Sequence, residues 1–372
     1  MDEAKERASE PSRRASFNPA RLTLARESRG MTQTALAKAC RISQSTISKT
    51  ESGVLAPSDD MVDAWAAALS YPRNFFFRWA EDRGLPATVF RKRRSLGTKA
   101  TRQITARVNV VRHQVGALAR SVELPEIKIN AVDLDEKLGL TAPAVAQELR
   151  QAWGVPRGPI PNLSRLLEDN GIVVVPFDFG TRKIDGISIY EHNGVHPPMM
   201  FINKLSPFDR VRFTMAHELG HLMMHMHMVV PPASCEAEAD SFAAEFLMPR
   251  ADIRGQLNRI SMERLMHLKS QWRVAMSALL KRAADLRAIS DRTARRHWMR
   301  MSSLGWRTKE PVTIPPENPE LLPEMIRVHR EELGYSVHDL AAALDMQEAE
   351  LVREYAVTQP RLRLVRGPRR DA

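Results

Sequence analysis

The stretch FTMAHELGHLMMH, Phe213 to His225, decides how the chain is read, because His217, Glu218 and His221 carry the H-E-x-x-H spacing. On a helix, residues i and i+4 stand one above the other on one face, so His217 and His221 can offer two imidazole nitrogens to a single ion. That is the geometry of a zinc helix. Glu218 then lies beside the ion, where its carboxylate can take a proton from water whose pKa zinc lowers to about 7. The approach to the helix carries start signals: Ser206 reads as N-cap, Pro207 as a first-turn residue and Asp209 as a carboxylate near the positive end.

A catalytic zinc needs a third protein ligand. Downstream, CEAEADSFAAEFLMP, Cys235 to Pro249, repeats its apolar residues at helical spacing and reads as a second helix packed on the first. Glu236 is the leading third ligand, completing a two-His, one-Glu set with a position left open for water. Asp240, one turn on, shares its face and can accept the free N–H of His217 or His221. Three alternatives stay open. Glu238 lies on the same helix. His225 stands about 12 Å along the axis from His217, too far for both to share one ion while the helix continues. His227 occupies the third-histidine place of a longer zinc pattern, but Met224 stands where that pattern has a chain-turning glycine.

Taken together, HELGHLMMH and EAEADSFAAEFLMP resemble the ImmA/IrrE family of bacterial metallopeptidases, whose members are associated with cleaving repressor proteins. The resemblance takes in the lead-in from Ala146 to Gly171 and the later run LKSQWRVAMSALLKRA. It implies a zincin-like domain, zinc held by His217, His221 and Glu236, Glu218 as general base, and a protein substrate of the repressor or antitoxin kind, or the chain itself. The residues around the helix pair agree with such a domain. Gly171–Phe177, Ile184–Tyr190 and Pro198–Asn203 read as three short strands just before the zinc helix. An exposed strand beside the metal would hold substrate in extended form. Tyr190 and His192, after the second strand, are candidates to polarise a scissile carbonyl. Beyond Pro249, residues 255–289 read as an amphipathic helical layer.

Nearer the N-terminus, residues 21–77 read as short helices broken at regular intervals. Arg21–Arg29 ends near Gly30; Gln33–Cys40 is capped by Thr32; Gln44–Ser52 is capped by Ser43 and closed by Gly53. Two helices joined by so short a turn make a helix-turn-helix. The opening residues of its second helix meet base edges, so Gln44, Ser45, Thr46, Ser48 and Lys49 are the expected readers, with Gln33 at the head of the preceding helix. Leu36, Ala37, Ile42 and Ile47 form the core that sets the angle. The run RGMTQTALAKACRISQSTISKTESG is similar to XRE-type repressors, which implies double-stranded DNA as a partner and a homodimer reading two half-sites.

Charge supports an acidic partner. Of the net +11, residues 83–122 alone hold ten basic residues and no acidic one, and Arg91, Lys92, Arg93 and Arg94 are expected phosphate contacts. Two cysteines, Cys40 and Cys235, support no disulfide framework and suggest the cytoplasm. Every apolar run falls short of a membrane span. An internal echo aligns residues 26–32 with 330–336, placing Glu348, Ala349 and Glu350 at reader positions. Carboxylates there would repel phosphate, so residues 320–356 read as a packing or dimerisation module.

The expected fold class is α+β and mostly helical: an all-α helix-turn-helix domain, a peptidase domain with a sheet of about three strands, and a C-terminal helical module. The expected divisions are a disordered tail (1–17), the DNA-binding domain (18–80), a basic helical connector (81–130), the peptidase core (131–250), its helical extension (251–312), the degenerate module (320–356) and a basic tail (357–372). The function that follows is a DNA-binding regulator with a zinc endopeptidase; the rival is a zinc-containing regulator or antitoxin without turnover.

Overall fold

A computed structural model of the chain describes residues 16–78, 96–129, 132, 139–190, 196–226, 234–355 and 357. Arg91, Lys92, Arg93, Arg94, His192 and His227 lie outside the described residues, as do 1–15 and 358–372. Contacts divide the chain into two units: Met1–Asp82 with Asn109–Leu118 and Ile326–Ala372, and Arg83–Val108 with Ala119–Met325. The architecture is mostly helical with one small sheet, the expected class.

The first unit opens with α1 (Pro19–Ser28), α2 (Gln33–Cys40), α3 (Gln44–Glu51) and α4 (Asp59–Leu69), followed by a 3-10 turn at Arg73–Phe77. Asn18, Thr32, Ser43 and Ser58 each accept a backbone N–H two or three residues ahead, which fixes the four helix starts. Arg41, at φ 56, ends α2 in the left-handed conformation, and the Ile42 amide bonds back to the Ala37 carbonyl. Leu22, Leu36, Ile47, Trp65 and Phe76 are fully buried between these helices. Helix α5 (Thr98–Ala119) follows, close to the 99–120 expected from its apolar spacing, and its residues 109–118 belong to this first unit.

In the second unit α6 (Ala142–Ala152) and α7 (Leu163–Glu168) precede β1 (Val173–Phe177), β2 (Gly186–Ile189) and β3 (Met199–Asn203). The strands run in the order β1-β3-β2, with β1 parallel and β2 antiparallel to β3. β2 is thus an edge strand, yet all four of its residues are buried. Gly186 explains the burial: a Cβ there would stand 2.8 Å from Thr214 and 3.0 Å from the Glu218 Cγ, so only glycine lets β2 lie this close to the next helix.

That helix, α8 (Phe208–Met224), starts one residue later than expected. Pro207 is the cap and makes no side-chain bond, because the Ser206 hydroxyl is turned to Asp185 at 3.2 Å. Helix α9 (Cys235–Leu247) packs along α8, and Gly220 sets their separation: a Cβ there would meet the Phe242 side chain at 3.1 Å and the Ala239 Cα at 3.3 Å. After a single turn at Arg250–Ile253 come α10 (Met262–Trp272), α11 (Met276–Asp285) and α12 (Asp291–Ser303). The helical layer expected over 255–289 is broken at Arg273, whose φ of 54 ends α10. Leu219, Phe242, Phe246, Leu265, Trp272 and Leu280 share the core beneath α8 and α9.

The remaining helices are α13 (Leu321–Glu331), α14 (Val337–Ala343) and α15 (Glu348–Tyr355). Within the first unit, Arg29, just past the end of α1, donates two bonds of 2.9 Å to the Glu350 carboxylate, and Arg78 bonds Asp345 at 3.1 Å. Glu350 sits where a reading residue would be, and here it binds a protein guanidinium.

Glu168 closes the start of α13, accepting from the amides of Glu320 at 2.9 Å and Leu321 at 3.0 Å. Burial outweighs these bonds and pushes its carboxyl up to about 7. A folded pKa above the unfolded value near 4.5 means that this group's contribution to stability is full below that value and is lost as pH rises toward 7. The Glu168→Gln variant cannot titrate there. Its stability relative to wild type is expected to rise between pH 4.5 and 7 in paired urea unfolding curves; a difference that stays flat with pH refutes the assignment.

Candidate functional site

One turn apart on α8, His217 and His221 point their Nε2 atoms at each other across 3.1 Å. From the first turn of α9, Glu236 brings Oε2 to 3.7 Å from the His217 nitrogen and Oε1 to 3.5 Å from that of His221. One donor atom from each of the three falls within 4.8 Å of the others. The opposite ring nitrogens are engaged: His217 Nδ1 with Asp240 Oδ1 at 3.0 Å, and His221 Nδ1 with His225 Nδ1 at 2.9 Å.

These bonds decide whether the group suits a cation. A neutral His217 must carry its proton on Nδ1 to donate to Asp240, which leaves Nε2 bare. His221 is likewise bare at Nε2 when it donates from Nδ1 to His225. Two lone pairs facing each other at 3.1 Å repel unless a positive charge lies between them. Tetrahedral zinc with Zn–N bonds of about 2.0–2.1 Å sets two such nitrogens about 3.3 Å apart. The donor set therefore fits a zinc-like ion held by His217, His221 and Glu236. Burial alone would raise the Asp240 carboxyl, but bonds from His217 and from Lys281 at 3.1 Å hold it down at about 2. It stays an anion and a firm acceptor for the imidazole.

Glu218 projects beside this group and is 4 % exposed. Its Oε2 accepts the Ser188 hydroxyl at 2.8 Å. Ser188 went unnoticed in the sequence; its signal was a lone hydroxyl in the apolar strand Gly186–Ile189. His225, weighed there as a competing ligand, instead backs His221, and its Nε2 meets Glu238 Oε2 at 3.0 Å. Burial, first among the influences on it, lowers the His225 pKa and favours the neutral ring. Tyr190 packs against the core beside β2. A cleft of about 690 Å³ has Thr214, Phe213, Asp240, Ala278 and Leu286 in its walls.

In the first unit the expected readers fall at the start of α3. Gln44, Ser45 and Lys49 are exposed, and Thr46 and Ser48 half-buried. Gln44 is held in place: its amide donates to Gln33 Oε1 at 2.7 Å, Gln33 donates to Glu51 at 2.8 Å, and Glu51 accepts two bonds from Arg26 at 2.6 and 3.0 Å. Such a chain orients one amide toward whatever lies before α3. Gln44→Ala is expected to weaken binding to DNA selected from a random pool by roughly 5- to 150-fold at fixed salt, the range for one bidentate base contact. Gln33→Ala should cost less, because it loosens the reader without removing it. Unchanged affinity in both variants, measured by anisotropy, would remove Gln44 from the interface.

Among the described residues no helix is long and apolar enough to cross a membrane. No curated protein matches the chain. Two family models do: a helix-turn-helix over residues 22–76 and an IrrE N-terminal-like domain over residues 167–284, the second spanning His217, Glu218, His221, Glu236 and Asp240. The chain joins an XRE-type helix-turn-helix to a metallopeptidase-type domain of the ImmA/IrrE family.

Proposed function

We propose that this chain is a DNA-binding transcriptional regulator whose second unit is a zinc-dependent endopeptidase acting on a protein, either a repressor or antitoxin-like partner or the chain itself. The observation that carries the reading is the buried Glu218 carboxylate, held by Ser188 beside the converging donors of His217, His221 and Glu236. A site that served only to brace the fold would have no use for a base at that place. Zinc, when bound by those three residues, supplies a Lewis acid for the peptide carbonyl and lowers the pKa of water to about 7. Glu218 takes the proton from the attacking water and returns it to the leaving amine. Asp240 fixes the tautomer and ring plane of His217, which keeps Nε2 aimed at the ligand position. The helix-turn-helix reads DNA through Gln44 and its neighbours, as a homodimer on two half-sites.

The test compares new protein N-termini in host cells expressing wild-type or Glu218→Gln chain, with and without DNA damage. Termini present only with wild type establish the endopeptidase and name its substrate. Identical sets of termini in both strains and conditions would favour a zinc-containing regulator without turnover.

A further inference from the structure

We propose that His225, Cys235 and Glu238 form a second metal site, different in chemistry from the first and opposed to it. One donor atom from each lies within 4.8 Å of the others. His225 ends α8, while Cys235 and Glu238 stand one turn apart at the start of α9. His225 and Cys235 are each 2 % exposed, so the ion would be shielded from competing water. Cys235 is in no disulfide. Sulfur, imidazole nitrogen and carboxylate oxygen together suit zinc or another borderline transition ion, whereas magnesium and calcium prefer oxygen alone.

The opposition follows from one proton. His221 and His225 face each other through their Nδ1 atoms at 2.9 Å, and only one of the two can donate. When His221 holds an ion through Nε2, its Nδ1 carries the proton and His225 accepts it. His225 then has its own proton on Nε2 and donates to Glu238 at 3.0 Å. An ion on His225 Nε2 reverses the arrangement. His225 must now carry its proton on Nδ1, and a neutral His221 must carry its proton on Nε2, the atom that the first site needs. Filling the second site therefore weakens the first, and excess metal becomes inhibitory.

Cobalt separates the two sites, because His217, His221 and Glu236 include no sulfur. The full chain, stripped of metal by chelation and kept reduced by a phosphine, is titrated with Co²⁺. The first ion should bind without thiolate-to-cobalt charge-transfer absorption in the near ultraviolet, and further cobalt should bring that absorption in. Cys235→Ser should abolish it and Cys40→Ser should leave it intact. No such absorption up to millimolar cobalt, or its survival in Cys235→Ser, overturns the proposal. The coupling rests on the peptidase reading: cleavage should fall several-fold as the absorption saturates in wild type, and hold steady in Cys235→Ser. The absorption itself needs no peptidase activity, so a failure of that reading and a failure of the second site give different results.

Discussion

Exchanging Glu218 for glutamine is expected to slow peptide cleavage by about 10²–10⁴-fold, the usual contribution of a positioned general base, while metal affinity and fold stay in place. Glutamine has the same shape and its amide oxygen can still accept the Ser188 hydroxyl, so the buried pocket loses no packing and no hydrogen bond. What it loses is the ability to hold a proton. Rates measured at saturating substrate, with zinc affinity read by competition against a chromophoric chelator, separate the two effects. Turnover within threefold of wild type would show that another group is the base. Ser188→Ala gives a graded control: Glu218 remains, but one hydrogen bond of about 1 kcal/mol is gone, and roughly a fivefold loss is expected. That loss should appear in turnover without a matching loss of zinc.

The shared faces of His217 with His221 and of Glu236 with Asp240 were legible because each depends on helical spacing within a few residues. Four residues separate His217 from His221 and Glu236 from Asp240, and a helix turns such spacing into a shared face whatever the rest of the chain does. Ser188 was not legible. Its contact with Glu218 depends on strand order, on the antiparallel pairing of β2 with β3 and on the close approach at Gly186, all set by long-range packing. Helix starts were readable to the residue where a side chain caps them, as at Thr32 and Ser43, and read one residue early at Ser206, whose hydroxyl bonds Asp185 instead. The C-terminal echo was visible as a pattern. That its Glu350 binds Arg29 was not, because nothing local relates residues so far apart in sequence.

Arg212→Met is expected to destabilise the second unit by about 3–5 kcal/mol, because it strips one partner from a buried ion pair. Arg212 is 0 % exposed on the second turn of α8, five residues before His217, and is paired with Glu317, which is 5 % exposed. It also donates to the Ile160 carbonyl at 2.8 Å. Burial, followed by the nearby Arg273, pushes the guanidinium down to about 9, so it remains charged at neutral pH. Glu317 further accepts the Leu163 amide at 2.7 Å, which ties the start of α7 to the same carboxylate. Without Arg212 the carboxylate keeps that amide, the Ser164 amide at 3.4 Å and Arg273 at 3.7 Å, too little to offset its desolvation. The double variant Arg212→Met with Glu317→Leu removes both charges and should recover most of the loss, since apolar replacement of a whole buried pair is often neutral. Urea unfolding of the full chain, followed through zinc release, reports the transition of the unit that carries His217 and His221. A single variant that unfolds at the same urea concentration as wild type would mean that the apolar core under α8, and not this ion pair, fixes the helix that carries His217 and His221.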